Sequence, residues 1–251
     1  NDLTIHITDT LPDHLKLPFK AKVDAKRRQA IMRNHSATNL LHYALRKHMG
    51  SHVEQRGSLV HPDYLRFDFS HFEKLSKDNL KAIENEVNQQ ILRGINLNEN
   101  RGIPMEKAKD MGAMALFGEK YGDIVRVISV GDYSMELCGG THAKAAGDIG
   151  LFRILSETGI AAGVRRIEAV TGETALMLSQ QQQQTLQRLA DLVKSDPQKL
   201  EQRVQKILEQ QKHLERELEQ IQAKINVQRS GELIDQVQQV GNVSLLAVKV
   251  T

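Results

Sequence analysis

The 251 residues include one cysteine, five prolines and no tryptophan. A lone Cys138 leaves no disulfide to close within the chain, which excludes a disulfide-stapled secreted scaffold and points to a reducing, cytoplasmic compartment. No apolar run approaches the roughly 18 residues of a membrane-spanning helix, so no membrane is expected as a partner. The opening Asn1-Asp2-Leu3-Thr4 has no Met, no cationic segment and no apolar stretch, and so does not read as a signal peptide. The strand-like run from Asn242 to Thr251 stops without a visible partner. Both ends therefore read as cuts, and the chain is expected to be an excised piece of a longer protein. Charge is mild: a formal +3, with a pI near 8.9, excludes a histone-like tail and an acidic solubilising segment.

Aromatics are also scarce, at 4%, and their placement is informative. All six Phe and four Tyr fall between Phe19 and Phe152, and residues 153–251 contain none. Nine of the ten histidines lie at or before His142. This asymmetry predicts two bodies with different jobs.

What is present in the front body alternates helical and strand periodicity. Pro12 and Pro18 argue against one long element before residue 24. Ile31, Leu40, Leu41, Ala44 and Leu45 allow a helix from Asp24 to about Met49, broken by Gly50 and Gly57. Short runs at 58–60 and 64–69 follow, the second with period two. Ser76 is a plausible N-cap for a helix through Arg93, and Pro104 suits the first turn of a helix ending near Gly118. Strands are expected at 124–130, 134–138, 152–156 and 164–170. The front body is thus α+β, with a mixed or antiparallel sheet and helices.

After Gly172 the residues turn Leu- and Gln-rich. A helix over 173–194 breaks at Ser195-Asp196-Pro197 and restarts with Asp196 as N-cap. Leu200, Val204, Ile207, Gln211, Leu214, Leu218, Ile221 and Ile225 then alternate at spacings of four and three, a heptad seam interrupted by Gln211. The economical arrangement is an antiparallel, coiled-coil-like helical hairpin; the same seam could instead serve dimerisation. The domain scheme is 1–172, 173–230 and 231–251, the last being the start of a further globular domain.

Two short patterns carry chemistry. His35 and residue 39 are four apart on a predicted helix and project from one face. Cys138 and His142 flank Gly139-Gly140-Thr141, whose glycines permit the tight backbone that brings a thiolate and an imidazole onto one ion. A His₃Cys set would suit zinc, but residue 39 is Asn, and a lone Cys among histidines also occurs as a plain core thiol. His42, two turns beyond His35, is a poor co-ligand, and His48, His52, His61 and His71 read as surface groups.

These patterns, taken in order, are recognisable. His35-Ser36-Ala37-Thr38 with Leu40-Leu41-His42, Gln55-Arg56-Gly57-Ser58-Leu59-Val60, Arg66-Phe67-Asp68-Phe69-Ser70-His71, Cys138-Gly139-Gly140-Thr141-His142 and Gly163-Val164-Arg165-Arg166-Ile167-Glu168-Ala169 resemble the editing domain of alanyl-tRNA synthetases, over residues 35 to 172. The threonyl-tRNA synthetase editing domain shares the metal pattern but matches the Arg-Phe-Asp-Phe and Gly-Val-Arg-Arg blocks less well. The helices after Gly172 resemble the segment that links the alanyl editing domain to a C-terminal globular domain.

The resemblance implies hydrolysis of the ester joining a wrong amino acid, serine or glycine, to the terminal adenosine of alanine tRNA. A pocket built for alanine rejects these near-isosteres poorly, so a second hydrolytic site is required. It implies zinc held by His35, Cys138 and His142, with Asn39 where the family has a second histidine. An amide oxygen is a harder, weaker zinc ligand than imidazole, leaving three outcomes: three protein ligands, weak Asn39 ligation, or a metal-free pocket. Thr38 and Gln55 would line the pocket, against the plainer readings of a helix Thr bonded to its own backbone and an exposed loop Gln. Alanine tRNA would be the partner, its phosphates met by the basic stretch Lys16, Lys20, Lys22, Lys26, Arg27, Arg28 and Arg33, or this is simply a solvated helix face. Arg165 and Arg166 lie on a strand and point to opposite faces, so one at most can reach the pocket while the other pairs with an acid such as Glu168. Two other readings stay open: a freestanding editing protein, or a tRNA-binding and oligomerisation module with an impaired centre.

Overall fold

The computed structural model describes residues 5, 7–11, 13–14, 17–18, 20–115, 121–234 and 237–247. The chain forms two compact units, Asn1–Ser179 and Gln180–Thr251.

In the first unit, helix α1 (Ala25–Met49) starts where Asp24 caps it, the carboxylate accepting the Arg27 N–H at 3.0 Å. It ends at Gly50, whose φ of 113° suits only glycine. Strands β1 (Gln55–Val60) and β2 (Leu65–Ser70) follow, then helix α2 (Lys77–Leu92), whose N-cap Ser76 accepts the Asn79 N–H at 3.1 Å. Strands β3 (Leu97–Pro104), β4 (Ile124–Val130) and β5 (Ser134–Leu137) make one antiparallel sheet in that order. Strands β6 (Phe152–Ala161) and β7 (Val164–Thr171) join the earlier pair in a second antiparallel sheet of order β1-β2-β7-β6. The α+β class is as the sequence predicts.

Three elements differ from expectation. Residues 97–104 form β3, which the polar run Asn98-Glu99-Asn100-Arg101 conceals, because residues 98–102 are exposed on both faces and show no apolar alternation. Pro104 closes that strand and caps only the six-residue helix α3 (Met105–Asp110), not a helix to Gly118; residues 116–120, Gly118 included, lie outside those described. Strand β6 runs through Gly159, which pairs with Arg165 rather than ending the strand.

The core lies between α1 and the four-stranded sheet. Ala37, Leu40, Leu41, Ala44 and Leu45 of α1 are fully buried with Phe67 and Phe69 of β2, Ile167 and Ala169 of β7, and Ile83 and Val87 of α2. Each such Leu or Phe removed from water contributes on the order of 1.5–3 kcal/mol. The aromatics gather here because flat rings fill the space between a helix and a twisted sheet.

The second unit is helical. Helix α4 (Gly172–Leu192) runs into it, a short 3₁₀ turn (Pro197–Lys199) follows Asp196, and α5 (Leu200–Ile234) spans about 52 Å at 1.5 Å per residue. Asp196 occupies the cap position with Pro197 next to it, but its side chain makes no capping hydrogen bond. The heptad seam is largely open: Val204, Leu214, Leu218, Ile221 and Ile225 keep 40–59% of their surface, while Leu200 and Ile207 are half-buried. The terminal run does have a partner, because β9 (Val243–Leu245) pairs antiparallel with β8 (Gln238–Val240); residues 248–251 lie outside those described. Among the described residues no helix is long and apolar enough to cross a membrane.

One buried amide ties α1 to the sheet beside His35. Asn34 donates to the His61 and Pro62 carbonyls at 2.6 and 3.2 Å and accepts the Thr171 hydroxyl at 2.7 Å. Replacing Asn34 by Ala strands these partners, so urea denaturation should show a loss of about 2–3 kcal/mol.

Candidate metal centre

The centre is assembled from two separated pieces of chain. His35 lies in α1, and Cys138 and His142 lie on either side of the turn that follows β5. Their ligating atoms all fall within 4.8 Å of one another, the only such His/Cys/Asp/Glu cluster among the described residues. Cys138 Sγ is 3.2 Å from His35 Nε2 and 3.2 Å from His142 Nε2, and the two rings sit 4.3 Å apart at 35°. Zinc at its usual Zn–S and Zn–N lengths sets tetrahedral sulfur and nitrogen ligands about 3.5 Å apart, so the two sulfur–nitrogen pairs are within a few tenths of an ångström of that spacing.

The glycine turn makes this approach possible. A Cβ on Gly140 would fall inside the His35 imidazole, overlapping both Cε1 and Nδ1. Gly140 is therefore required by space. Arg126 of β4 locks the same turn: its guanidinium donates to the Cys138 carbonyl at 3.0 Å and to the Gly140 carbonyl, while its Nε–H donates to Glu99 at 2.8 Å. Glu99 also accepts from Arg101, and the bonds from Arg126 and then Arg101 pull its pKa down to about 2.

Electrostatics prepares the donors. Burial first, then the charges of its neighbours His35 and Arg126, lowers the pKa of His142 to about 3. Burial and Arg126 lower that of His35 too, opposed by a hydrogen bond to the Thr141 backbone. Both imidazoles are therefore neutral near pH 7, the form that ligates a metal. Ser36, in the next position along α1, accepts the Ala143 N–H at 3.0 Å and sits 3.2 Å from His142 Nδ1. With Nε2 turned to the cluster, Nδ1 carries the proton and donates it to Ser36, an assignment made from the network.

The remaining predicted residues divide. Asn39, one turn past His35 on the same face, is 5% exposed and makes no side-chain hydrogen bond among the described residues. Thr38 is buried, with its hydroxyl donating to the Asn34 carbonyl at 2.8 Å, the helix back-bond. Gln55 opens β1 and donates to the Ser58 hydroxyl at 3.3 Å; no hydrogen bond joins it to the cluster. Arg165 and Arg166 do point to opposite faces, but both are paired within the fold, Arg165 with Glu157 and Arg166 in a two-bond clasp on Asp68 at 2.7 and 2.8 Å. Glu168, expected as the acid, accepts from Ser156 instead. Lys20, Lys22, Lys26, Arg27 and Arg28 stand exposed at the start of α1; Lys16 lies outside the described residues. Lys26 has only a loose, exposed contact with Glu173 at 3.5 Å. His42, expected to be a poor co-ligand, is 4% exposed, with Nδ1 3.3 Å from Glu136.

Sequence spacing points to His35, Cys138 and His142 but not to Ser36 or His42, whose partners lie about a hundred residues away, nor to Arg126, whose partners lie 12 to 27 residues away on a neighbouring strand and turn. The glycine pair was the one legible hint of Gly140's role. Gly140→Ala should push the His35 ring off the cluster and weaken zinc binding by about 10- to 100-fold, measured by chelator competition.

Residues 125–168, which hold Cys138 and His142 but not His35, match the family described as threonyl and alanyl tRNA synthetase second additional domain. Alanine–tRNA ligase of Idiomarina loihiensis is 52% identical over 227 residues, 90% of this chain and 26% of that protein. The same-named protein of Halorhodospira halophila is 53% identical over 227 residues, again 90% and 26%. That of Cytophaga hutchinsonii is 47% identical over 250 residues, 99% of this chain and 28% of the relative. The chain thus spans about a quarter of the length of the curated relatives it matches. With half of its residues shared across nine-tenths of its length, and with the second additional domain around its cysteine, the chain is a homologue of alanine–tRNA ligases over that quarter.

Proposed function

We propose that this chain is the editing hydrolase part of an alanine–tRNA ligase, releasing serine or glycine wrongly esterified to alanine tRNA in the cytoplasm. The observation that carries the reading is the meeting of His35, Cys138 and His142 from α1 and the distant glycine turn, in a homologue of these ligases. The proposed scheme is an editing body over 1–172, a helical linker over 173–230 and the start of a further domain from 231. Attachment of alanine to tRNA, the activity in the relatives' name, is assigned to sequence beyond these 251 residues. The open α5 seam suits a second copy of the chain.

The donor set fits zinc, which supplies Lewis-acid polarisation or anchoring of the substrate at the ester. His35, Cys138 and His142 would hold it, with Asn39 a weak fourth ligand in place of a histidine. Arg126 keeps the turn closed and its charge beside the developing negative charge of ester attack. Thr38 has its hydroxyl proton committed to Asn34, so toward a substrate serine it acts as an acceptor. A groove of about 430 Å³ lies along Gly139, Gly140, Thr141, Arg126 and Arg101, wide enough for a nucleoside next to the centre. Lys26, Arg27 and Arg33 line a second groove of about 400 Å³, and Arg33 is shared with a third that includes Lys144. These cations, with Arg28, are the proposed contacts to acceptor-stem phosphates; Arg165 and Arg166 support the sheet that carries the site.

Serine-charged alanine tRNA tests the reading. The chain should release serine, and Cys138→Ala should slow release by about 100-fold or more. Tight tRNA binding without release would instead establish the binding-module reading that Asn39 raises. Reversing charge at Lys26 and Arg27 should weaken tRNA binding and flatten its salt dependence by about one unit of slope per lost phosphate contact. Asn39→His should tighten zinc by about tenfold or more in chelator competition; equal affinity in the two proteins would remove Asn39 from the ligand set.

A further inference from the structure

Away from this centre the fold brings two other imidazoles together. His52, in the turn after α1, and His71, directly after β2, meet with His52 Nε2 2.9 Å from His71 Nδ1. Their rings are 5.2 Å apart and 24° from parallel, with Phe69 stacked behind His71 at 6.4 Å. The main chain sets both positions. Ser70 N–H donates to the Glu54 carbonyl at 3.0 Å, while its hydroxyl donates to the His52 carbonyl at 2.8 Å and accepts the Glu54 N–H at 2.9 Å. His71 N–H donates to the Gly163 carbonyl at 3.0 Å. At Gly50, with φ of 113°, a Cβ would stand 3.0 Å from His52 Nδ1, so glycine leaves the room this ring occupies.

Two neutral imidazoles in such contact share one proton, and displacing it exposes two lone pairs to one cation. At a metal–nitrogen length of roughly 2.0–2.1 Å, nitrogens 2.9 Å apart subtend about 90° at the ion. That is the cis angle of octahedral and square-planar coordination, which nickel and copper adopt on imidazole. His52 is exposed and His71 half-buried, so an ion can enter and complete its shell with water. The charges acting on His71 are those of His52 and Arg165 on one side and the carboxylates Glu73 and Glu157 on the other. Glu157 is paired with Arg165 through Oε1, and its buried Oε2 has no hydrogen-bond partner among the described residues. Burial, then His52, holds the His71 pKa below its ordinary value, so few protons compete.

We propose that His52 and His71 form a second metal site, selective for imidazole-preferring divalent ions of the nickel and copper type. It is distinct from the His35–Cys138–His142 centre: α1 rises about 20 Å between His35 and its end at Met49. A bound ion staples the turn after α1 to the end of β2, directly ahead of Gln55. The site neither requires nor alters the hydrolytic reading.

Nickel titrated into the full chain separates the two sites. Metal at Cys138 produces thiolate charge-transfer absorption, whereas metal at the histidine pair produces none and broadens the backbone amide resonances at 52 and 71. The wild-type chain should show both signals. His52→Ala and His71→Ala should each lose the broadening and keep the thiolate band, and Cys138→Ala should do the reverse. Unchanged melting temperatures of the two histidine variants in metal-free buffer will establish that they fold; a variant that does not is replaced by His→Asn at the same position. Broadening that persists in both histidine variants, or its absence from wild type after the thiolate band saturates, overturns the proposal.

Discussion

The candidate centre depends on one close approach: the His35 ring lies against the α-carbon of Gly140 with no room between them for a methyl group. Everything nearby serves that contact. Asn34, the preceding residue of α1, clamps the helix to the sheet through three hydrogen bonds. Ser36, the following residue, reaches the other wall through His142 and the Ala143 N–H. Three consecutive residues thus point to three separate jobs, which the 100° step of a helix allows and a strand would not.

The opposing wall is held by charge. Arg126 spans from Glu99 to the carbonyls of Cys138 and Gly140, bracing a turn that has few side chains of its own to pack. The same guanidinium lies close enough to both histidines to disfavour their protonation, adding to burial. One cation therefore does structural and electrostatic work at once. Burial of the cluster is partial, and together with Arg126 it keeps the two imidazoles neutral near pH 7.

The second unit obeys different physics. A long helix with an aliphatic seam needs only a matching surface, and such a surface contains no cavity shaped for chemistry. Five of the seam residues, from Val204 to Ile225, remain 40–59% exposed, an apolar stripe far better suited to contact than to solvent. Aromatic residues are absent from this part because a narrow helix seam is filled by Leu, Ile and Val, while the space between α1 and the four-stranded sheet takes Phe67, Phe69 and Phe152.

Periodicity and local chemistry alone determined the α+β class, the cap at Ser76, most of the strands and the long heptad helix. These are properties of neighbours in sequence, for which a 3.6- or 2-residue period or a capping side chain is sufficient signal. The start of α1 at Asp24 was legible only as a helix boundary, and His35, Cys138 and His142 only as a candidate cluster. Strand β3 escaped because its exposed polar run shows no apolar alternation, and β6 because Gly159 looks like an end when read alone. Only the tertiary structure decided that Arg165 and Arg166 both face acids of the fold, that His42 is buried against Glu136, and that His52 meets His71. Each of those pairings joins residues from 8 to 98 positions apart through sheet register or helix packing, which no local pattern specifies. Gly140 lies across that divide: its identity is plain in the sequence, but the reason for it appears only when α1 lies against the turn.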